Sequence, residues 1–228
     1  MRETLAKIRS RAYWRVLIRP SVFVPELVAD LAELREIVPK CAVLLRGWDF
    51  PHVDRTNATQ TGMDCVEQST DWKHHVELWR LYQSGQFAFY GCLWDDWQDQ
   101  SAWGPVASPW KVGQYLSVRS AIYTYTEVCE FAARLALSPV GSDQMVCDVT
   151  LAGLQGRQLT ADNPHGLDFM VPQVATIPAF PKVRSLPRDE LVAAPRDLAV
   201  WFSQQLFARF GWDAPQETLR NIQDELQR

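Results

Sequence analysis

The chain is poor in the signatures that usually name a chemistry. Its 228 residues hold five cysteines, Cys41, Cys65, Cys92, Cys129 and Cys147, with no CxxC or CxxH pair among them. An odd, widely spaced set offers no disulfide framework and points to a reducing compartment. The four histidines never fall into an HExxH pattern, and the neighbours His74 and His75 have no second ligand pair nearby, so no metal site is expected. A glycine-rich phosphate loop is missing as well: Gly153-Leu154-Gln155-Gly156-Arg157 lacks the lysine and the following helix, although Arg157 could still hold an anion. No cofactor is called for by any motif. No apolar run approaches the roughly 18 residues that span a bilayer. The first residues lack an apolar signal segment, so no membrane association is expected and the cytoplasm is the default. A net charge of −4 argues against gripping nucleic acid over a broad surface, which takes many phosphate contacts, and leaves only a local basic patch for such binding.

What is present is an ordinary globular balance, 47% hydrophobic and 22% charged, at a length that makes one large domain or one domain with an appendage. Tryptophan is in excess. Ten are present, and Trp48, Trp72, Trp79, Trp94, Trp97, Trp103 and Trp110 fall within 48–110. Such a cluster implies a thick core or an exposed binding face.

The periodicities predict an α+β fold: a small mixed β-sheet packed by helices, followed by a proline-rich arm and a C-terminal helical pair. Alternation at 13–19 reads as a half-buried strand ended by Pro20. Pro25 opens a helix over 25–38 that Pro39 stops, and the apolar run at 41–46 is a buried strand. Residues 52–71 read as a long loop and 72–84 as a helix capped at Gly85. A strand follows at 86–94, then an irregular stretch at 95–112. Spacings of three and four give the longest helix over 114–137, and 145–151 is another strand. Six prolines between 164 and 195 mark an extended arm or linker. Beyond it lie an amphipathic helix and a last helix that Asp213 can cap, with Gln216 three residues on. The expected units are a core domain at 1–163, the arm at 164–195 and the helical pair at 196–228.

Two turns draw the candidate site residues together. In the first, Arg46, Trp48, Asp49 and His52 could bind a carboxylate, phosphate or base edge, stack a ring and move a proton. The simpler reading pairs Arg46 with Asp49 across the turn and leaves Trp48 in the core. Around the second lie Trp79, Tyr82, Gln83 and Gln86, with Ser84 read as a helix end because no GxSxG elbow surrounds it. On the long helix Glu127 and Glu130 share a face with Tyr123 and Arg134. Glu130 and Arg134 suit an i,i+4 salt bridge. With Asp148 the two glutamates could instead make a nuclease-like carboxylate set, but the strand acid followed two positions on by lysine is missing.

The strand ending Arg19-Pro20, the segment Leu45-Arg46-Gly47-Trp48-Asp49-Phe50-Pro51, the segment 79–87 and Thr126-Glu127-Val128-Cys129-Glu130-Phe131-Ala132 together resemble a bacterial domain without an assigned catalytic role. That domain is fused behind Schlafen-like, Alba-type DNA-binding domains, and the resemblance covers about residues 12–160. It implies a sensing or recruiting part in a bacterial assembly, in stress response or phage defence, and carries over no catalytic residue. The fused DNA-binding module has no counterpart here, so its activity is not transferred. The expectation is a non-catalytic binding or interaction domain whose partner is another protein or a small polar ligand, with a homo-oligomer as a structural variant. An enzyme acting on a phosphate-containing substrate is the alternative.

Overall fold

The computed structural model describes residues 1–56, 59–97, 111–161 and 169–227. The alternation at 13–19 becomes β1 (Tyr13–Pro20), with Trp14, Val16 and Ile18 buried on one face. It lies between β7 (Phe87–Cys92) and β9 (Gln144–Ala152), antiparallel to both. Beyond β7 come β6 (His75–Tyr82), β5 (Cys65–Trp72) and the short β4 (Gln60–Thr61); beyond β9 lies β11 (Ala179–Pro187). The seven strands make one sheet in the order β11-β9-β1-β7-β6-β5-β4, antiparallel at every pairing. The α+β class is as expected, but the sheet is larger than expected and not mixed.

Both faces of the sheet are covered. On one, α3 (Val118–Ala136) lies over the buried residues of β1, β7 and β9 and is itself buried nearly all round. The helices α4 (Arg188–Ala193), α5 (Pro195–Phe207) and α6 (Gln216–Asp224) pack behind it. Tyr125 of α3 stacks on Phe202 of α5 at 5.4 Å, and the amide of Gln223 on α6 donates to Thr126 Oγ1 at 2.8 Å. On the opposite face, α1 (Arg2–Arg9) sets Ile8 against Val76, Leu78 and Trp97. No helix of the described residues is long and apolar enough to cross a membrane.

That second cover explains the largest departure from expectation. The segment 72–84 is not a helix: β6 is buried on both sides, with Val76 and Leu78 facing α1 while Trp79 and Leu81 enter the main core. Burial on both faces erases the period of two and leaves a continuous apolar run. Its partner β5 lies in the stretch expected to be loop, and Gln83-Ser84-Gly85 is the β6–β7 turn.

Helix α2 (Leu31–Cys41) begins later than Pro25, because Asp30 supplies the N-cap, its carboxylate accepting from Ala32 N–H at 2.8 Å. It runs through Pro39 to Cys41. The expected strand at 41–46 is reduced to β2 (Val43–Leu44), which pairs with β3 (Asp49–Phe50) outside the large sheet. Gly47, at φ +72°, makes the tight reversal between them, a conformation open to glycine without strain. Before α3, β8 (Tyr115–Ser117) pairs in parallel with β10 (Gln158–Thr160). Ser117 caps α3 by accepting from Ser120 N–H at 2.9 Å. The last helix starts after Pro215 without a side-chain cap, so the expected Asp213 cap is not formed. In the proline-rich stretch, 179–187 is the edge strand β11. Pro164, Trp103 and Trp110 lie outside the described residues.

Candidate functional site

The register of the sheet leaves one row under-filled. Two consecutive rows beneath α3 run Leu81–Phe87–Ile18 and Trp79–Phe89–Val16, all bulky. The next row is Glu77–Gly91–Trp14, in which the central strand contributes no side chain. A Cβ built on Gly91 would lie 2.6 Å from the Phe89 ring, which leans over it. Above that row, the N-terminal half of α3 presents Ser120, Tyr123 and Thr124, whereas its C-terminal half buries Val128, Phe131 and Leu135. Small or polar groups therefore face each other across the gap. A cavity of about 450 Å³ results, within the range of small-molecule sites.

The β2–β3 turn closes one side. Arg46 reaches α3 and forks onto Glu127: Nε donates to Oε1 at 2.9 Å, Nη2 to Oε2, and Nη2 also lies 3.4 Å from Thr124 Oγ1. Glu127 is almost wholly buried, and burial pushes its carboxyl above the usual range; Arg46 offsets part of that rise and Glu77 adds to it. The expected Arg46–Asp49 pair does not form. Asp49 instead takes His52, with Nδ1 at 2.5 Å from Oδ1, and Val53 N–H at 3.0 Å.

The β5–β6 turn supplies the opposite wall. Lys73, at φ +32°, lets the chain reverse so that Trp72 pairs with His75, and His74 and His75 reach the cavity. Glu77, buried in the under-filled row, accepts from His52 N–H at 2.6 Å. His75 Nε2 lies 2.9 Å from the other Glu77 oxygen but off the direction of a hydrogen bond, so the contact is electrostatic. Trp48 sits among these groups, stacked on His52 at 4.8 Å and edge-on to Trp72 and His75 at 5.4 and 4.6 Å. Trp94 stands at the rim, about half exposed. Burial pushes the thiol of Cys92, which also lines the cavity, up to about 12, leaving it protonated and a poor nucleophile.

Of the residues singled out from sequence, Arg46, Trp48, Asp49 and Glu127 meet at this cavity, and His52 forms the wall behind Trp48. Trp79 lies beneath, buried, its indole N–H donating to the His52 carbonyl at 2.9 Å. The others go elsewhere. Tyr82, Gln83 and Gln86 belong to the far end of the β6–β7 hairpin. There the Gln83 amide donates to Ala29 O at 2.6 Å, Tyr82 OH accepts from Arg80 at 3.1 Å, and the Gln86 carbonyl takes Tyr82 N–H at 2.9 Å. Glu130 pairs with Arg196 of α5 at 3.3 Å, not with Arg134, which donates to Ala42 O at 2.5 Å. Arg157 is buried against Asp96, with Nη1 2.9 Å from Oδ1, so its charge is already met. Asp148 faces the other side of the sheet and pairs with Arg15 at 2.8 Å, which separates it from Glu127.

His74, His75, Gly91 and Ser120 are the parts that sequence reasoning did not place in a site, whereas it sets Glu77 at the second turn with Gln83, Ser84 and Gln86. The signal for the two histidines was the pair Trp72 and His75 flanking Lys73-His74, a two-residue hairpin connection. Among the described residues, no group of three His, Cys, Asp or Glu side chains is arranged to hold a metal ion. Compared with protein-family models, with characterised proteins and with solved structures, the chain gave no match.

Proposed function

We propose that this chain is a small-molecule-binding domain, a sensing or recruiting module and not an enzyme, whose ligand occupies the cavity between α3 and the Glu77–Gly91–Trp14 row. The observation that carries this reading is the cavity's construction. Sheet and helix both lack bulk at the same place, and the gap is walled by aromatic rings with a few fixed polar groups, the usual make-up of a ligand pocket. Of the charged groups singled out from sequence, Arg46, Asp49 and Glu127 converge there, and Arg46 and Glu127 neutralise each other. A phosphate ester is the poorer fit as a substrate. Both arginines of the cavity are committed to carboxylates, Arg46 to Glu127 and Arg119 to Glu225, and the cavity's thiol is protonated.

The test uses benzyl alcohol as a ring-sized probe, followed by tryptophan fluorescence and calorimetry. Ser120→Phe serves as a cavity-filling variant, since the Ser120 side chain lines the cavity and its backbone alone takes part in the helix bonds. Saturable binding to the native protein, lost in Ser120→Phe with circular dichroism and thermal midpoint unchanged, supports the reading. Absence of saturable binding, or equal binding by the filled variant, overturns it.

A further inference from the structure

Resting on that reading, we infer that the cavity's ligand is a small organic cation: an ammonium group carried on an aromatic or apolar body. Three features of the wall lead there. First, its positive charges are spent. Arg46 is forked onto Glu127, Arg119 is paired with Glu225, and the N-terminus of α3 is closed by the Ser117 hydroxyl and by Asp95, which accepts from Ser117 N–H at 3.3 Å. An anionic ligand would compete with these carboxylates for the arginines.

Second, the negative charges are not all spent. Glu77 is buried, yet its partners are one backbone N–H and a histidine ring lying off hydrogen-bond geometry; neither is a permanent cation. Asp49 likewise leans on His52 and a backbone N–H. Among the permanent charges of the lining, the carboxylates of Glu77, Asp49 and Glu127 outnumber the guanidinium groups of Arg46 and Arg119 by one, and Glu77 and Glu127 are buried. A buried carboxylate held only by neutral donors gains more from an incoming cation than an exposed one, because little solvent screens the attraction.

Third, the rest of the wall is the surface a cation prefers. The faces and edges of Trp48, Trp94 and Tyr123 line the mouth, and ring faces attract a desolvated ammonium. His74 Nδ1 is buried at the cavity without a hydrogen-bond partner and, in the Nε2–H tautomer, accepts an ammonium N–H. The ligand's body then lies on the floor formed by the Phe89 ring, which leans over Gly91, and by Trp14.

The experiment compares three probes that share one ring and differ in charge: benzylammonium, benzyl alcohol and benzoate, titrated by calorimetry into the full chain at neutral pH. Benzylammonium should bind about tenfold or more tighter than benzyl alcohol, with benzoate weakest. Raising salt should weaken benzylammonium and leave benzyl alcohol unmoved. Glu77→Gln, which keeps an oxygen to accept from His52 N–H, should remove most of the preference for the cation, read as the ratio of benzylammonium to benzyl alcohol affinity in the same variant. Trp94→Ala at the exposed rim should weaken the cation selectively. Benzyl alcohol bound as tightly as benzylammonium, with binding lost in Ser120→Phe, keeps the pocket and overturns the cation. Benzoate bound tightest also overturns it. If none of the three binds, the pocket reading falls and the inference with it.

Discussion

Replacing Arg46 by alanine leaves Glu127 buried without its cation, and the structure sets the size and pH dependence of the loss. Removing one partner of a buried ion pair costs about 3–5 kcal/mol, because the remaining charge is stranded. Two features reduce that here. The Arg46 side chain is 34% exposed, so solvent already screens part of the attraction. Glu127 can also escape by taking up a proton. A loss of about 2 kcal/mol at neutral pH is expected, or roughly 4–8 °C in thermal midpoint for a chain of this size. The pH dependence follows from the raised carboxyl. A carboxyl whose folded pKa lies above its unfolded value stabilises the fold fully below the unfolded value, 4.5, and loses that stabilisation as pH rises through the folded one. Without Arg46 the folded value rises further, so the variant's deficit is small near pH 4.5 and reaches its full size towards neutrality. Urea unfolding at both pH values, with and without Glu127→Gln, measures this. In the Glu127→Gln background Arg46→Ala should cost under about 1 kcal/mol. An equal deficit at both pH values, or an undiminished cost in the double variant, would refute the reasoning.

The second buried pair should be the more costly one. Asp96→Asn leaves Arg157 charged and enclosed, and weakens the carboxylate contacts to Ala12 N–H and Gly113 N–H, so a loss of about 3–5 kcal/mol in urea unfolding is expected; a loss below about 1 kcal/mol would show that water reaches the pair. Gly91→Ala places a methyl group against the Phe89 ring and should cost about 1–3 kcal/mol while weakening benzyl alcohol binding; a neutral result in both would mean that the ring swings aside freely.

The legible parts of the sequence were those where one face is buried and one is wet. β1 kept its alternation because Arg15 and Arg19 point away from α3, and the long helix kept its stripe over 118–135. The α5 stripe, Leu198, Phe202 and Leu206, was legible for the same reason. The hairpin β5–β6 was not. Val76, Glu77, Leu78 and Trp79 are buried in succession because α1 covers one face and the main core, with α2, covers the other, and a doubly covered strand carries no period. Within the site, Arg46, Trp48 and Asp49 stood out because they surround a glycine turn. Their partner was misjudged because Glu127 lies 81 positions along the chain and nothing local announces it. Arg157 was misread for a similar reason: its partner Asp96 lies 61 positions earlier and is reached only through the fold.

The same comparison bears on what the cavity is for. The rows Trp79–Phe89–Val16 and Leu81–Phe87–Ile18 show that this chain can fill the space between sheet and helix with large apolar side chains. One row further on it places glycine, glutamate and, on the helix, serine and threonine. Each choice works against the core: the gap forfeits packing contacts, and Glu77 and Glu127 lose hydration that their partners only partly replace. The raised carboxyl of Glu127 is the record of that cost. Nothing in the packing of α3 demands it, since Val128, Phe131 and Leu135 seat the helix firmly further along. On the proposed reading, the departure from apolar filling in the Glu77–Gly91–Trp14 row, with aromatic rings gathered beside it, is where this fold gives up stability for a site.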